Sequence, residues 1–325
     1  MNISSYLTGS SLIAMGMSWW EAIIAIIAGN IISAILLVLN SLPGAYYHVG
    51  FPVVNRSVWG MWGSQFVIWN RIFLSIMWCK FMSSPACYFL ERRYTDIIVT
   101  DGFQAWIGGE CVYVCLKAIW PSIEEGIPNH MAQSTGVTTA QFLGYIIFMV
   151  ISMPFMYIRP HRLQSLFYVS ATIVMVFIVV LLIWSMATMG PQGFGETISI
   201  SSGHAGGWNI AFGIISTIGS IAAGLLNQND YARFARKPSD AIQGQAIVFA
   251  PYAVFSCIVG ILVTGATERR YGKAYWNLPD LFGAMIESGG TRSRCAAFFG
   301  GFALIVSQIG VNVAGNALAG GEFLV

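Results

Sequence analysis

Long uncharged, apolar stretches dominate the chain: 22–55, 138–158, 163–195, 197–229, 241–267 and 295–321 contain no Asp, Glu, Lys or Arg. A helix that crosses a bilayer needs about 20 mostly apolar residues, and each stretch holds at least one. None alternates with the period of two that a barrel strand requires, so the pattern predicts helices throughout. Asn2–Gly16 is also apolar but short, with neither a positive leading segment nor a cleavage site. It reads as the back part of a helix whose beginning is missing.

Composition removes the soluble alternatives. Of 325 residues, 56% are hydrophobic and 9% charged, against roughly 25% charged in an ordinary soluble domain. Mean hydropathy is +0.68. Sixteen basic and 14 acidic residues cannot cover a water-soluble surface of this size. The 35 glycines follow no period of three, and the apolar content excludes disorder. Cys79, Cys87, Cys111, Cys115, Cys257 and Cys295 lack paired spacing and read as buried thiols. The four histidines are scattered without metal-ligand spacing, and no cofactor is expected. No Ser/His/Asp set, phosphate-binding glycine loop or nucleic-acid patch is present, so the chain reads as a membrane protein that is not an enzyme.

Loop charge orients the spans, because Lys and Arg accumulate on the cytoplasmic side. Arg56, the Arg159–Arg162 loop and the Arg233, Arg236, Lys237 loop mark that side. The loops at 121–137 and 190–207 carry Glu124, Glu125 and Glu196 and no Lys or Arg. The loop at 268–294 breaks the rule, with Arg269, Arg270, Lys273, Arg292 and Arg294 on the outer face.

Sidedness also requires two spans, not three, between Arg56 and Arg159. The apolar pieces 61–79 and 102–120 therefore read as one span interrupted by Lys80–Asp101, a segment holding Lys80, Glu91, Arg92, Arg93, Asp96 and Asp101. Cys79-Lys80-Phe81 can be encoded with a consensus splice donor and Thr100-Asp101 with an acceptor; Gly321-Glu322-Phe323 can encode another donor. The expectation is one transmembrane domain over 1–325, in which 80–101 and 322–325 are non-native, intron-derived segments. The alternative is a genuine inserted loop.

Outside 80–101 the chain resembles the fungal uracil/allantoin/uridine permease branch of the nucleobase–cation-symporter family. The residues that carry the match are PVVNRS (52–57), QAWIGGE (104–110), NQNDYARFARKP (227–238), YGKAYWNLPDL (271–281) and SQIGVNVAGNALAGG (307–321). The resemblance implies an all-α polytopic transporter of twelve spans, built on two inverted five-span repeats. Its substrate would lie between a bundle (spans 1, 2, 6, 7) and a scaffold (3, 4, 8, 9). Against that plan the spans are 1 (remnant 2–17), 2 (19–45), 3 (60–79 plus 102–120), 4 (139–158), 5 (164–189), 6 (206–229), 7 (241–266) and 8 (295–321). Spans 9 to 12 are absent.

A planar heterocycle needs an aromatic face to stack on and amide-like groups for its edge. Trp106 and Glu110 lie four apart and share a helix face. Gly108 and Gly109 between them admit either substrate or a neighbouring helix. The resemblance implies that this Trp stacks on substrate; the alternative is packing. It also implies that the residue four later, often Gln, binds the heterocycle edge. Here that residue is Glu110, a carboxylate costly within a membrane and suited to carrying a proton or donating to substrate.

Asn312 and Asn316 repeat the spacing, with Asn316 as the implied substrate-binding amide and Asn312 as a supporting, helix-packing one. Gly310 and Val311 fall where sodium-coupled relatives place hydroxyl ligands, which favours protons over sodium. Phe212 is a second stacking candidate. Gly213, Ser216 and Thr217 suit either a broken helix that exposes backbone groups or close helix packing. Asp230 and Arg233 suit either a cytoplasmic gate or a solvated anchor.

The expected function is proton-coupled uptake of a nucleobase or related heterocycle, such as uracil or allantoin, across the plasma membrane. The lipid bilayer, the small heterocycle and protons are its partners. The alternatives are a thiamine or nucleoside transporter of the same fold, and a truncated product that does not transport.

Overall fold

The computed structural model describes residues 3–79, 103–131, 136–156, 163–190, 193–194 and 206–312. The segments 80–101 and 322–325 lie outside the described residues, as does Asn316. Among the described residues every regular element is a helix, and the chain is an all-α polytopic membrane protein. The elements are α1 (Ile3–Ala14), α2 (Trp19–Tyr47), α3 (Phe51–Cys79), α4 (Phe103–Ile119) and α5 (Ile123–Gly126), followed by α6 (Thr139–Met156) and α7 (Leu163–Thr188). Then come α8 (Gly206–Gly219), α9 (Ala222–Leu226), α10 (Gln228–Ala232), α11 (Pro238–Tyr271), α12 (Leu278–Ser288) and α13 (Thr291–Asn312).

Among the described residues, four helices are long and apolar enough to cross a membrane on their own: α2, α7 from Ser165, α11 and α13. They match expected spans 2, 5, 7 and 8. The helix α6 is apolar but shorter. The element α3 contains a break at Gly60, whose φ of 70° and ψ of 179° leave the helical region. Hydropathy alone does not foretell that break.

The helix α2 shows how local sequence sets an element. Ser18 caps its start, and Glu21 Oε2 accepts from Ser18 N–H at 3.2 Å and from the Ser18 hydroxyl at 2.7 Å. Both groups would otherwise be costly to bury. Its end is set by His48, which adopts a left-handed φ of 55° and donates its N–H to Gly44 O at 2.9 Å. Along α2 the exposed stripe is Ile24, Ile27, Ile31 and Ile35, while Asn30, Ser33 and Ser41 are buried. Apolar side out and polar side in is the arrangement of a helix solvated by lipid.

The chain divides into two compact units. The first is Met1–Ile68 with Met175–Leu278, and the second Trp69–Val174 with Pro279–Val325. In the first unit, α1, α2, α8 and α11 pack together. Its core gathers Leu12, Ile13, Met17, Ala22, Ala25, Ile26, Cys257 and Ile261. In the second unit α4 packs against α6 and α13 around Ala105, Val112, Tyr145, Phe148 and Ile309. The first unit thus holds the helices expected as spans 1, 2, 6 and 7, and the second those expected as spans 4, 8 and the later part of 3.

Three of the five basic residues that break the sidedness rule, Arg270, Lys273 and Arg294, are held locally. In the first unit Arg270 lies 5.7 Å over Trp184 and 5.4 Å over Tyr271, and Lys273 lies 5.7 Å over Tyr275. In the second, Arg294 caps the end of α4, with Nε to Ala118 O at 2.9 Å and Nη2 to Ile119 O at 3.0 Å. Cations engaged with ring faces and helix C-termini are partly neutralised.

Candidate functional site

In the second unit, Trp106 and Glu110 sit one turn apart on α4, both half-buried. The Trp106 ring lies 6.4 Å from Tyr145 of α6 at 37°, and Tyr145 stacks on Phe142 at 6.1 Å and 24°. The glycine pair between Trp106 and Glu110 serves the neighbouring helix. A Cβ on Gly108 would stand 2.4 Å from the Phe148 ring, and one on Gly109 would stand 2.6 Å from Tyr145 Cα. Gly144 of α6 returns the contact, its missing Cβ falling 2.7 Å from Gly109 O. The two backbones touch, which only small residues permit.

Asn312 is fully buried at the end of the described part of α13. One turn before it, Ser307 and Gln308 are also fully buried. Gly310 carries no oxygen in its side chain, but one stands beside it. Ser170 Oγ of α7 is 3.0 Å from where its Cβ would lie, and donates to Val306 O at 3.5 Å.

At the non-spanning end of α4, Lys117 Nζ reaches Glu124 Oε1 at 3.1 Å and Glu287 Oε1 at 3.0 Å. The Tyr113 hydroxyl donates to the same Glu124 oxygen. That hydroxyl first, and the ammonium second, hold the Glu124 carboxyl below its ordinary value.

In the first unit, Phe212 is exposed on α8, while Gly213 is buried, its absent Cβ 2.8 Å from Ala25 Cβ of α2. The Thr217 hydroxyl donates to Gly213 O at 2.8 Å, and Thr217 is buried, whereas Ser216 is half-buried. Helix α8 runs unbroken through 212–218 and ends at Gly219, so the interruption of expected span 6 falls at 220–221, after these residues. Around the break, Asn40 Nδ2 of α2 donates to Leu226 O at 2.9 Å and also to Leu225 O at 2.5 Å.

Asp230 and Arg233 belong to a compact cross-chain joint. Asp230 is buried, and its Oδ1 accepts the Phe51 N–H at 2.8 Å, at the start of α3. Asn229 Oδ1 accepts the Gly44 N–H at 3.1 Å, next to Pro43, which interrupts the hydrogen-bond ladder of α2. His48 Nδ1 lies 2.8 Å from Arg233 O, a contact in which the ring nitrogen donates. A Cβ on Gly50 would be 3.0 Å from both Arg233 Nη1 and Asp230 Oδ1, so carboxylate and guanidinium converge there. The anion stands where the positive end of α3 favours it.

Tyr145, Phe142 and Asn229 did not stand out in the sequence. Phe142 and Tyr145 are three apart in an apolar helix, which places both on one face. Asn229 lies inside the quoted NQNDYARFARKP motif. Among the described residues no group of His, Cys, Asp and Glu could hold a metal ion.

A family model for permeases for cytosine/purines, uracil, thiamine and allantoin matches residues 1–90 and 95–322. An uncharacterised permease of Schizosaccharomyces pombe is 32% identical over 326 residues, covering 99% of this chain and 51% of that protein. The allantoin permease of Saccharomyces cerevisiae is 29% identical over 324 residues, with 98% and 47% covered. The uracil permease of the same yeast is 26% identical over 324 residues, with 98% and 48% covered. The chain spans about half the length of the curated relatives it matches.

Proposed function

We propose that this chain, which belongs to the family of permeases for cytosine/purines, uracil, thiamine and allantoin, acts in proton-coupled uptake of a nucleobase or related heterocycle, uracil or allantoin in kind, across the plasma membrane. The observation that carries this reading is the Trp106–Glu110 pair, half-buried one turn apart on α4. The indole offers a flat face on which a planar ring stacks. The carboxyl group, one turn away, can accept from or donate to that ring's N–H and C=O edge according to its protonation. A single carboxyl on an apolar helix exchanges a proton more readily than a sodium ion, which needs several oxygens around it. Asn312 and Asn316 are the further candidate amides for the ring's edge, and Phe212, in the other unit, stays a candidate aromatic by itself.

The joint at Asp230, Asn229 and Arg233 ties the turn between α2 and α3 to the end of the interrupted span. We read it as a cytoplasmic anchor of the first unit. The test is competition uptake in a transporter-deficient yeast, with uracil, allantoin, uridine and thiamine challenging a labelled tracer. The reading requires uptake that one heterocycle suppresses and that Trp106→Ala abolishes. Uptake that none of the four suppresses overturns it.

A further inference from the structure

We infer that Tyr145 of α6 is a positioning residue for Trp106 and thereby sets the preference for flat, conjugated rings; this rests on the reading of Trp106 as the stacking surface. Three observations carry it. The Tyr145 backbone has no freedom relative to α4, because Gly109 and Gly144 bring the two main chains into contact, with a would-be Gly109 Cβ only 2.6 Å from Tyr145 Cα. The Tyr145 ring is buried and stacked with Phe142, at 6.1 Å and 24°. It also meets Trp106 at 6.4 Å and 37°, inside the range in which aromatic rings attract.

A half-buried indole has rotameric freedom that a stacked ligand must remove, and that ordering costs affinity. A fixed, tilted ring beside the indole removes the freedom beforehand. Tyr145 therefore acts through Trp106 without touching the ligand. Ring planarity is the property selected. Uracil is conjugated and flat, so it uses the indole face across its whole area. Allantoin has a tetrahedral ring carbon bearing its side arm, so it uses that face less and loses less when the indole is released.

The test is equilibrium binding of labelled uracil and labelled allantoin to this chain in nanodiscs, with thermal melting measured on each variant. Tyr145→Leu is expected to weaken uracil binding about five-fold and allantoin binding less, while Tyr145→Phe stays within about two-fold of the parent. Tyr145→Met, of similar volume without a ring, reads the same quantity if the leucine variant does not accumulate. With 5-fluorotryptophan incorporated, the Trp106 fluorine resonance, assigned by its loss in Trp106→Phe, should move in Tyr145→Leu or Tyr145→Met and stay in Tyr145→Phe. If Trp106→Ala abolishes uracil binding but the ringless variants bind both ligands as the parent does, the inference is wrong and the stacking role of Trp106 survives. If the parent binds neither ligand, or Trp106→Ala binds both normally, the reading beneath it falls and the inference with it.

Discussion

The carboxylate of Asp230 accepts a hydrogen bond from the backbone N–H of Phe51 at 2.8 Å, across 179 residues of chain. A buried anion thus caps a helix to which it is not adjacent in sequence, and the α2–α3 turn is pinned to the end of the interrupted span. Removing the carboxylate leaves a helix N-terminal N–H without its acceptor in a buried place. Asp230→Ala is expected to destabilise the detergent-solubilised chain by about 2 kcal/mol, and Asp230→Asn, which keeps an acceptor, by about half that. Denaturant unfolding of the two variants checks the order.

The contact between α4 and α6 admits no side chain at its centre. Gly109→Ala forces a methyl group against the Tyr145 main chain, and overpacking of that kind costs about 1–3 kcal/mol. Gly207→Ala is the control, since nothing lies within 4 Å of its Cβ position. The control should melt at or slightly above the parent temperature, as alanine favours a helix over glycine.

Glu124 gives the chain an acid-sensitive contact outside the spans. Its carboxyl is held below the ordinary value by the Tyr113 hydroxyl and then by Lys117. A group whose folded value is depressed stabilises the fold above its unfolded value and loses that contribution as pH falls through the folded one. Melting temperature should therefore be level from neutral pH downward and decline below about pH 4. In Glu124→Gln that part of the decline should be missing, and the neutral-pH melting temperature lower.

The proposed proton coupling rests on Glu110 and on the lack of side-chain oxygen at Gly310 and Val311. Ser170 complicates the second point, because its hydroxyl stands beside Gly310. Uptake should rise with external acidity, persist when choline replaces sodium, and be unaffected by Ser170→Ala. Glu110→Gln should flatten the pH dependence. Sodium-stimulated uptake lost in Ser170→Ala would assign the coupling to sodium instead.

Much of the fold was legible because uncharged length is a direct consequence of the bilayer. The stretch 163–195 became α7 at Leu163–Thr188, and 295–321 opens with the bulk of α13. Partners across helices were not legible, since hydropathy does not say which faces meet. The Gly108–Gly109 pair was open between substrate and helix until Phe148 and Tyr145 appeared against it. Asp230 read equally as a gate or as an exposed cap, and its acceptor role for Phe51 depends on a turn 179 residues away. Gly213 and Thr217 suited either a broken helix or close packing; both pack against α2, and the break follows at 220–221. Their small size signals close approach, and close approach alone does not specify whether the neighbour is a helix or an unwound strand of chain.

The most direct test of the account is the initial rate of labelled uracil and allantoin uptake by a transporter-deficient yeast expressing this chain, with Trp106→Ala alongside. Saturable uptake of at least one of the two is expected, faster at acid pH, and lost in Trp106→Ala while the variant protein still reaches the membrane. Uptake that is absent, or that is as fast in Trp106→Ala as in the parent, would contradict it.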